Sequence, residues 1–278
     1  METVQDILTL LALEQIEENI FRGQNYKTPW KRVFGGQVLA QALHAAYETV
    51  PQDRMVHSLH GYFILVGDID VPVVYTVDRI RDGGSFTTRR VVAIQKGRPI
   101  FNLSCSFQNA QDGLDHQIPM PNVPPPEVLV SDEELSTSRR HSRHSRPIEF
   151  RPVEKLDSDS PRNASPFRHI WLKAKGEMFD NHRMHQEVLA YTSDYHLLGT
   201  SILPHAEELP SAGLFTVSLD HAMWFHRTFR MDEWLLYAMD SPSASNTRGF
   251  SRGNIFTQDG ILVASVVQEG LMSPRRNK

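Results

Sequence analysis

Hydrophobic positions fall into two blocks of similar order. In the first, Gly35-Gly36-Gln37-Val38-Leu39-Ala40-Gln41-Ala42-Leu43-His44-Ala45-Ala46 is small or apolar nearly all round. A helix with that pattern is a buried one. Runs rich in β-branched and aromatic residues follow at Tyr62 to Leu65, Val73 to Val77, Phe86 to Ile94 and Ile100 to Phe107. Asp82-Gly83-Gly84 and Lys96-Gly97-Arg98 supply turns between them, so these runs predict strands. In the second block, Asp194 to Ile202 predicts a short buried helix. Strand patterns return at Phe215 to Phe225, Trp234 to Met239, Gly249 to Phe256 and Ile261 to Gln268. Upstream of both blocks, Leu8, Leu11, Ile16 and Ile20 recur at helical spacing and predict an amphipathic surface helix. A helix followed by a run of strands is an α+β pattern, not an alternating β-α-β one.

An offset of 160 residues aligns the blocks without a gap, from Phe34 with Asp194 to Ala110 with Gly270. Ser58 then meets Ser218, and Gln108 meets Gln268. Identity under this alignment is low; the repeated element order is the stronger sign of duplication. One helix wrapped by an antiparallel sheet, twice in one chain, describes a double hotdog. The division is residues 1–110, an irregular linker at 111–165, and 166–278.

The linker opens with Pro119, Pro121, Pro124, Pro125 and Pro126 and carries the basic run Arg139 to Arg146. A localisation or nucleic-acid patch is one reading of that run; a solvated linker is the other. The rest of the chain favours the second. Lys and Arg number 29 against 33 Asp and Glu, a net charge of −4, so no nucleic-acid partner is expected. Of 278 residues, 40% are hydrophobic and 22% charged, enough for a real core. A single cysteine, Cys105, forms no internal disulfide and fits a reducing compartment. The run Ile7 to Leu13 is too short to span a bilayer, and the chain does not end in Ser-Lys-Leu. These features lead to an expected cytoplasmic location with no membrane insertion.

Several motifs point to other chemistry and fail on context. Gly249-Phe250-Ser251-Arg252-Gly253 matches G-x-S-x-G, yet a strand pattern follows it and no histidine lies downstream. The close pairs His57/His60, His182/His185 and His221/His226 show no H-E-x-x-H pattern, so no metal is expected. Neither a Rossmann nor a Walker A motif is present.

The chain resembles the acyl-CoA thioesterase II family, which includes bacterial TesB and the peroxisomal acyl-CoA thioesterases. The resemblance is carried by Gly35 to Ala42, His57 to Phe63, Ser193-Asp194-Tyr195, Leu219 to Arg227, Glu233 to Tyr237 and Val267-Gln268-Glu269-Gly270. It implies a double hotdog, hydrolysis of acyl-CoA to free acid and CoA, and no cofactor. It also implies a water-activating triad of Asp194, Ser218 and Gln268, with Ser218 where the bacterial prototype has Thr. A homo-oligomer, dimer or tetramer, is expected from family habit. Under the 160-residue offset the first half keeps Ser58 and Gln108 but has Phe34 for the carboxylate, which implies one active site per chain. Taken alone, Asp194 after Ser193 reads as an N-cap that opens a helix. Two rival readings stay in view. One is a hotdog enoyl-CoA hydratase or dehydratase, with His196 beside Asp194; the other is a non-catalytic acyl-CoA binder.

Overall fold

A computed structural model describes residues 1–137, 146–154, 164–208 and 213–274. The chain starts with helix α1 (Val4–Leu11), which buries Val4, Ile7 and Leu11. The helix predicted through Ile20 stops there. Ile16 lies on strand β1 (Glu14–Glu17) and Ile20 opens β2 (Ile20–Gly23), paired as a hairpin. Asn19 turns that hairpin at φ 60°, a conformation its short polar side chain tolerates.

The rest of the first block forms as its pattern predicts. Helix α2 (Gly35–Tyr47) is followed by β3 (Met55–Phe63), β4 (Val73–Asp82), β5 (Phe86–Gln95) and β6 (Arg98–Gln108). The second block holds α3 (Asp132–Thr137), β7 (Ile148–Pro152), β8 (Phe167–Ala174), α4 (His182–Ser193), α5 (Leu197–Thr200), β9 (Leu214–Ser218), β10 (Asp220–Phe225), β11 (Leu235–Ser245), β12 (Arg248–Thr257) and β13 (Leu262–Pro274). The strands form one antiparallel sheet in the order β1-β2-β4-β5-β6-β3-β10-β13-β12-β11-β8-β7, with β9 also on β13. The halves join where β3 pairs with β10. Helix α2 packs on β4, β5 and β6 and lies against α4.

The duplication is visible in cross-strand pairs. Asp78 on β4 faces Arg90 on β5, and Asp240 on β11 faces Arg252 on β12 at the same register; both are ion pairs. Strands β9 to β12 are therefore offset from their first-half counterparts by 162 residues, and β13 from β6 by 163, not 160. The helices are offset by 147, from Gly35 to His182, because α5 and a following 3-10 turn intervene between α4 and β9. The gapless alignment is corrected accordingly. Ser218 pairs with Gly270 as Val56 pairs with Phe107, and Gln268 faces Ser251 as Cys105 faces Arg89. The first-half counterparts of Ser218 and Gln268 are thus Val56 and Cys105, not Ser58 and Gln108.

The stretch expected to be irregular contributes structure. Strand β7 pairs with β8, and the proline-rich segment packs on the sheet, where Trp171 Nε1 donates to the Pro124 carbonyl at 2.9 Å. Most of the basic run, residues 138–145, lies outside the described residues.

The long helix of the second block is α4, which ends where the short helix was predicted to begin; of that predicted Asp194 to Ile202 helix, α5 forms with Leu197 and Thr200 buried. The buried positions of α4 include Arg183, His185, Gln186 and Glu187, so no apolar stripe announces it. Cross-repeat partners satisfy those groups. Gln186 Nε2 donates to the Val56 carbonyl at 3.0 Å, and Arg183 donates to the carbonyls of Tyr47, Pro51 and Arg54. Glu187 meets His44 Nδ1 of α2 at 3.0 Å. Burial pushes the His44 imidazole down, but the carboxylates of Glu187 and Glu48 outweigh it and its pKa ends above the ordinary value. A folded pKa above the unfolded one gives stability that is full below the unfolded pKa and lost as pH rises through the folded one. The stability of the wild type over His44→Asn, measured by urea unfolding, is expected to shrink as pH rises from the acid to the alkaline side of neutrality. A pH-independent difference would contradict the pair.

Candidate active site

Helix α4 ends at Asp194, its C-cap, with φ −76° and ψ −14°. The expectation that Asp194 opens a helix is corrected here. The helix start it meets belongs to the other repeat. The Gly36 N–H of α2 donates to Asp194 Oδ2 at 3.0 Å. The N-terminal end of α2 carries the partial positive charge that favours a carboxylate. A Cβ on Gly35 would lie 2.7 Å from the same oxygen, so only glycine lets the helix come this close.

The second arm comes from the sheet. Strands β9 and β10 are interrupted at Leu219, whose N–H donates to the Glu269 carbonyl and whose carbonyl accepts from the Phe63 N–H, each at 2.9 Å. Asp220 Oδ1 accepts from the Glu269 N–H at 2.6 Å and pins the irregularity. Ser218 stands just before this break. From β13, Gln268 Nε2 donates to Asp194 Oδ1 and to Ser218 Oγ, each at 2.8 Å. Ser218 Oγ lies 3.5 Å from Asp194 Oδ1. The three side chains named from the sequence, 74 positions apart at the extremes, meet at one point.

Asp194 and Ser218 line a cavity of about 410 Å³ between the first turn of α2, the segment after β3, and β9, with Gln268 buried behind them. Val33, Phe34, Phe63, Ile64 and Phe101 give it apolar walls, while Asp194 and Ser218 supply polar groups. Sequence reading missed Arg32 and Trp30 at this cavity. Arg32 lines it with its guanidinium over the Phe215 ring and has no carboxylate partner among the described residues. The strand arginines stand elsewhere. Arg79, Arg89, Arg90, Arg248 and Arg252 pair with Glu18, Asp82, Asp78, Glu269 and Asp240. No histidine lines this cavity among the described residues. His196, in the left-handed region at φ 67°, stacks edge-on against Phe150. Ser251 of the G-x-S-x-G match lies within β12 and is fully buried, with no strand-to-helix elbow.

Comparison with known proteins follows the same outline. Residues 26–108 match the family described as "Acyl-CoA thioesterase N-terminal domain", and 138–271 match "Acyl-CoA thioesterase". The chain is 42% identical to the human "Acyl-coenzyme A thioesterase 8", over 96% of this chain and 88% of that protein. It is 37% identical to the Haemophilus influenzae "Acyl-CoA thioesterase 2", over 98% of both. The crystal structure of the acyl-CoA thioesterase II TesB2 from Mycobacterium marinum superposes with a TM-score of 0.83 at 44% identity, covering 97% of this chain and 98% of that one. The chain belongs to the acyl-CoA thioesterase family, and its fold is the double hotdog.

A histidine the sequence reading left aside stands behind the site. His221 on β10 is fully buried, with Nε2 at 2.9 Å from Ser193 Oγ. Burial pushes its pKa down to about 4, against a smaller upward pull from Asp194. A depressed histidine pKa means that the unfolded chain takes up a proton the folded chain refuses, so stability falls as pH drops below the ordinary histidine value toward 4. NMR titration of the His221 ring is expected to show the neutral form throughout at pH above about 5.5. A midpoint at the ordinary histidine value would contradict this burial.

Proposed function

We propose that the chain hydrolyses acyl-CoA thioesters to the free acid and CoA, with Asp194 as general base on water. The observation that carries the reading is the bridge from Gln268 Nε2 to both Asp194 Oδ1 and Ser218 Oγ. It gathers a proton acceptor and a hydroxyl on one side of an apolar cavity, with the amide that orients them behind. A water held by Ser218, with Gln268 orienting both Ser218 and Asp194, gives a proton to Asp194 as its oxygen attacks the thioester carbonyl carbon. The carbonyl π electrons move to oxygen. Gly35, the first residue of α2, lines the cavity, and its N–H has no intrahelical acceptor, which makes it a donor suited to that oxyanion. Collapse breaks the C–S bond, and the CoA thiolate takes the proton back from Asp194. Arg32, at the same cavity and free of a carboxylate, is suited to the phosphates of CoA.

One site per chain is part of the reading. The first-repeat counterparts of Ser218 and Gln268 are Val56 and Cys105, which cannot hold a water in the same way. Arg183 occupies the region beside α2's own C-terminal end. A cytoplasmic location is also part of it, with the single, buried Cys105 as its support. No helix among the described residues is long and apolar enough to cross a membrane. Self-association as a dimer or tetramer is supported by Tyr62 and Phe86, exposed on the outer face of β3 and β5.

Asp194→Asn keeps the shape of the side chain and removes the base. Thiol release from a graded series of acyl-CoAs is expected to fall by about 10²–10⁴-fold in this variant. A variant that keeps half its activity would contradict the single site, and one that keeps all of it would remove Asp194 as base. Absence of thiol release in the wild type would leave the non-catalytic binder as the reading.

A further inference from the structure

Assigning the Gln268 amide hydrogens leaves its oxygen over. Gln268 is fully buried, and its Oε1 has no partner. Directly across β12 and β13 stands Ser251, also fully buried, whose Oγ has no partner. On the other flank, one step beyond the Ala222–Val267 pair of β10 and β13, stands His221. It too is fully buried, and its Nδ1 has no partner. The three side chains form a row on the inward face across β10, β13 and β12. Cross-strand neighbours hold their Cβ atoms roughly 4.5–5.5 Å apart, close enough for one small molecule to serve adjacent members.

The protons can be assigned. Ser193 Oγ lies 2.9 Å from the Ala190 carbonyl and 3.2 Å from Met223 Sδ, and its one proton is assigned to the carbonyl, the stronger acceptor. His221 Nε2, 2.9 Å from the same oxygen, therefore carries the ring proton, and Nδ1 presents a lone pair. Gln268 Oε1 is an acceptor, and the Ser251 hydroxyl brings one donor. Two acceptors and one donor are the complement of a single water, with two O–H groups to give and a lone pair to take. A buried water typically makes about three hydrogen bonds to groups that otherwise lack partners.

We propose that His221, Gln268 and Ser251 seat one buried water, and that Ser251 acts through it as a positioning residue for Gln268. The water fixes the carboxamide with oxygen inward and NH₂ toward Asp194 and Ser218. The first repeat supports this by contrast. Its row at the same register is Leu59, Cys105 and Arg89. There Cys105 Sγ contacts the Arg89 carbonyl at 3.7 Å, and the Arg89 guanidinium is bonded to Thr49 and Asp82. The seat exists only in the repeat that carries Asp194. The serine of the G-x-S-x-G match thus has a role without being a nucleophile. The kinetic part of this proposal rests on the role given to Gln268 above; the water seat does not.

A high-resolution crystal structure of the full chain is expected to show a water within hydrogen-bond reach of His221 Nδ1, Gln268 Oε1 and Ser251 Oγ. A dry row would overturn the proposal. Ser251→Ala is expected to lower kcat about tenfold with KM within about twofold, and to have no further effect in a Gln268→Ala background. A merely structural hydroxyl predicts otherwise: removing a buried group without a partner leaves kcat unchanged and the melting temperature unchanged or higher. A fully active Ser251→Ala, or an additive effect in the double variant, would overturn the positioning role. If the wild type releases no thiol, the hydrolase reading fails while crystallography still decides the seat.

Discussion

The contact on which the site depends is the one between the Asp194 carboxylate and the first turn of α2. It joins the C-terminal end of one repeat's helix to the N-terminal end of the other's. Alone, the end of α4 is a poor place for a carboxylate, because the helix dipole presents partial negative charge there. The start of α2 offsets that charge with its N–H groups, and the paired glycines Gly35 and Gly36 permit the approach. A Cβ on Gly36 would fall 2.2 Å from the Tyr191 carbonyl, so the same glycines also allow the helices to cross. Packing of the two repeats and construction of the site are therefore one event. A single hotdog of this chain has the carboxylate or the helix start, not both.

The sheet supplies the other half by breaking its own regularity. The interruption at Leu219 takes β9 and β10 out of one continuous strand and leaves Ser218 beside Gln268. The corresponding position in the first repeat also carries a register shift, between Val56 and Ser58 of β3. The irregularity is thus common to the two halves. Chemistry then differs by side chain alone: Val56 and Cys105 in one half, Ser218 and Gln268 in the other. The fold tolerates this because both sets lie on the inward face of the same strands.

Much of this was legible from pattern. Helix α2 announces itself by being apolar all round, and β4, β5, β6 and β12 follow from their β-branched and aromatic runs. What stayed hidden has physical causes. Helix α4 buries Arg183, Gln186 and Glu187 against partners from the other repeat, so its buried face looks solvated in sequence. On β13 the offset is 163, and Gln108 matched Gln268 by residue type alone; on β9 to β12 an offset of 160 in place of 162 escapes detection because a slip of two keeps every residue on the same face of its strand. Alternation cannot reveal such a slip, and Ser58 stood in for Val56. Asp194 read as an N-cap because a carboxylate next to a helix boundary looks alike at either end. The resemblance to a family selected Asp194, Ser218 and Gln268; no local pattern predicts that residues on α4, β9 and β13 converge. Ser251 and His221 were set aside as nucleophile and metal ligand, and neither test asks what a buried polar group does for its neighbour.

The central claim is that Asp194 takes a proton from water and does not itself attack the acyl carbon. Single-turnover hydrolysis in H₂¹⁸O, with enzyme in excess over acyl-CoA, separates direct attack by water from an acyl-Asp194 anhydride opened at the protein carbonyl. Direct attack by water places ¹⁸O in the released acid and leaves the Asp194 peptide unlabelled. An acyl-enzyme anhydride hydrolysed at the protein carbonyl would place the label in Asp194 and release unlabelled acid, and that result would contradict the account.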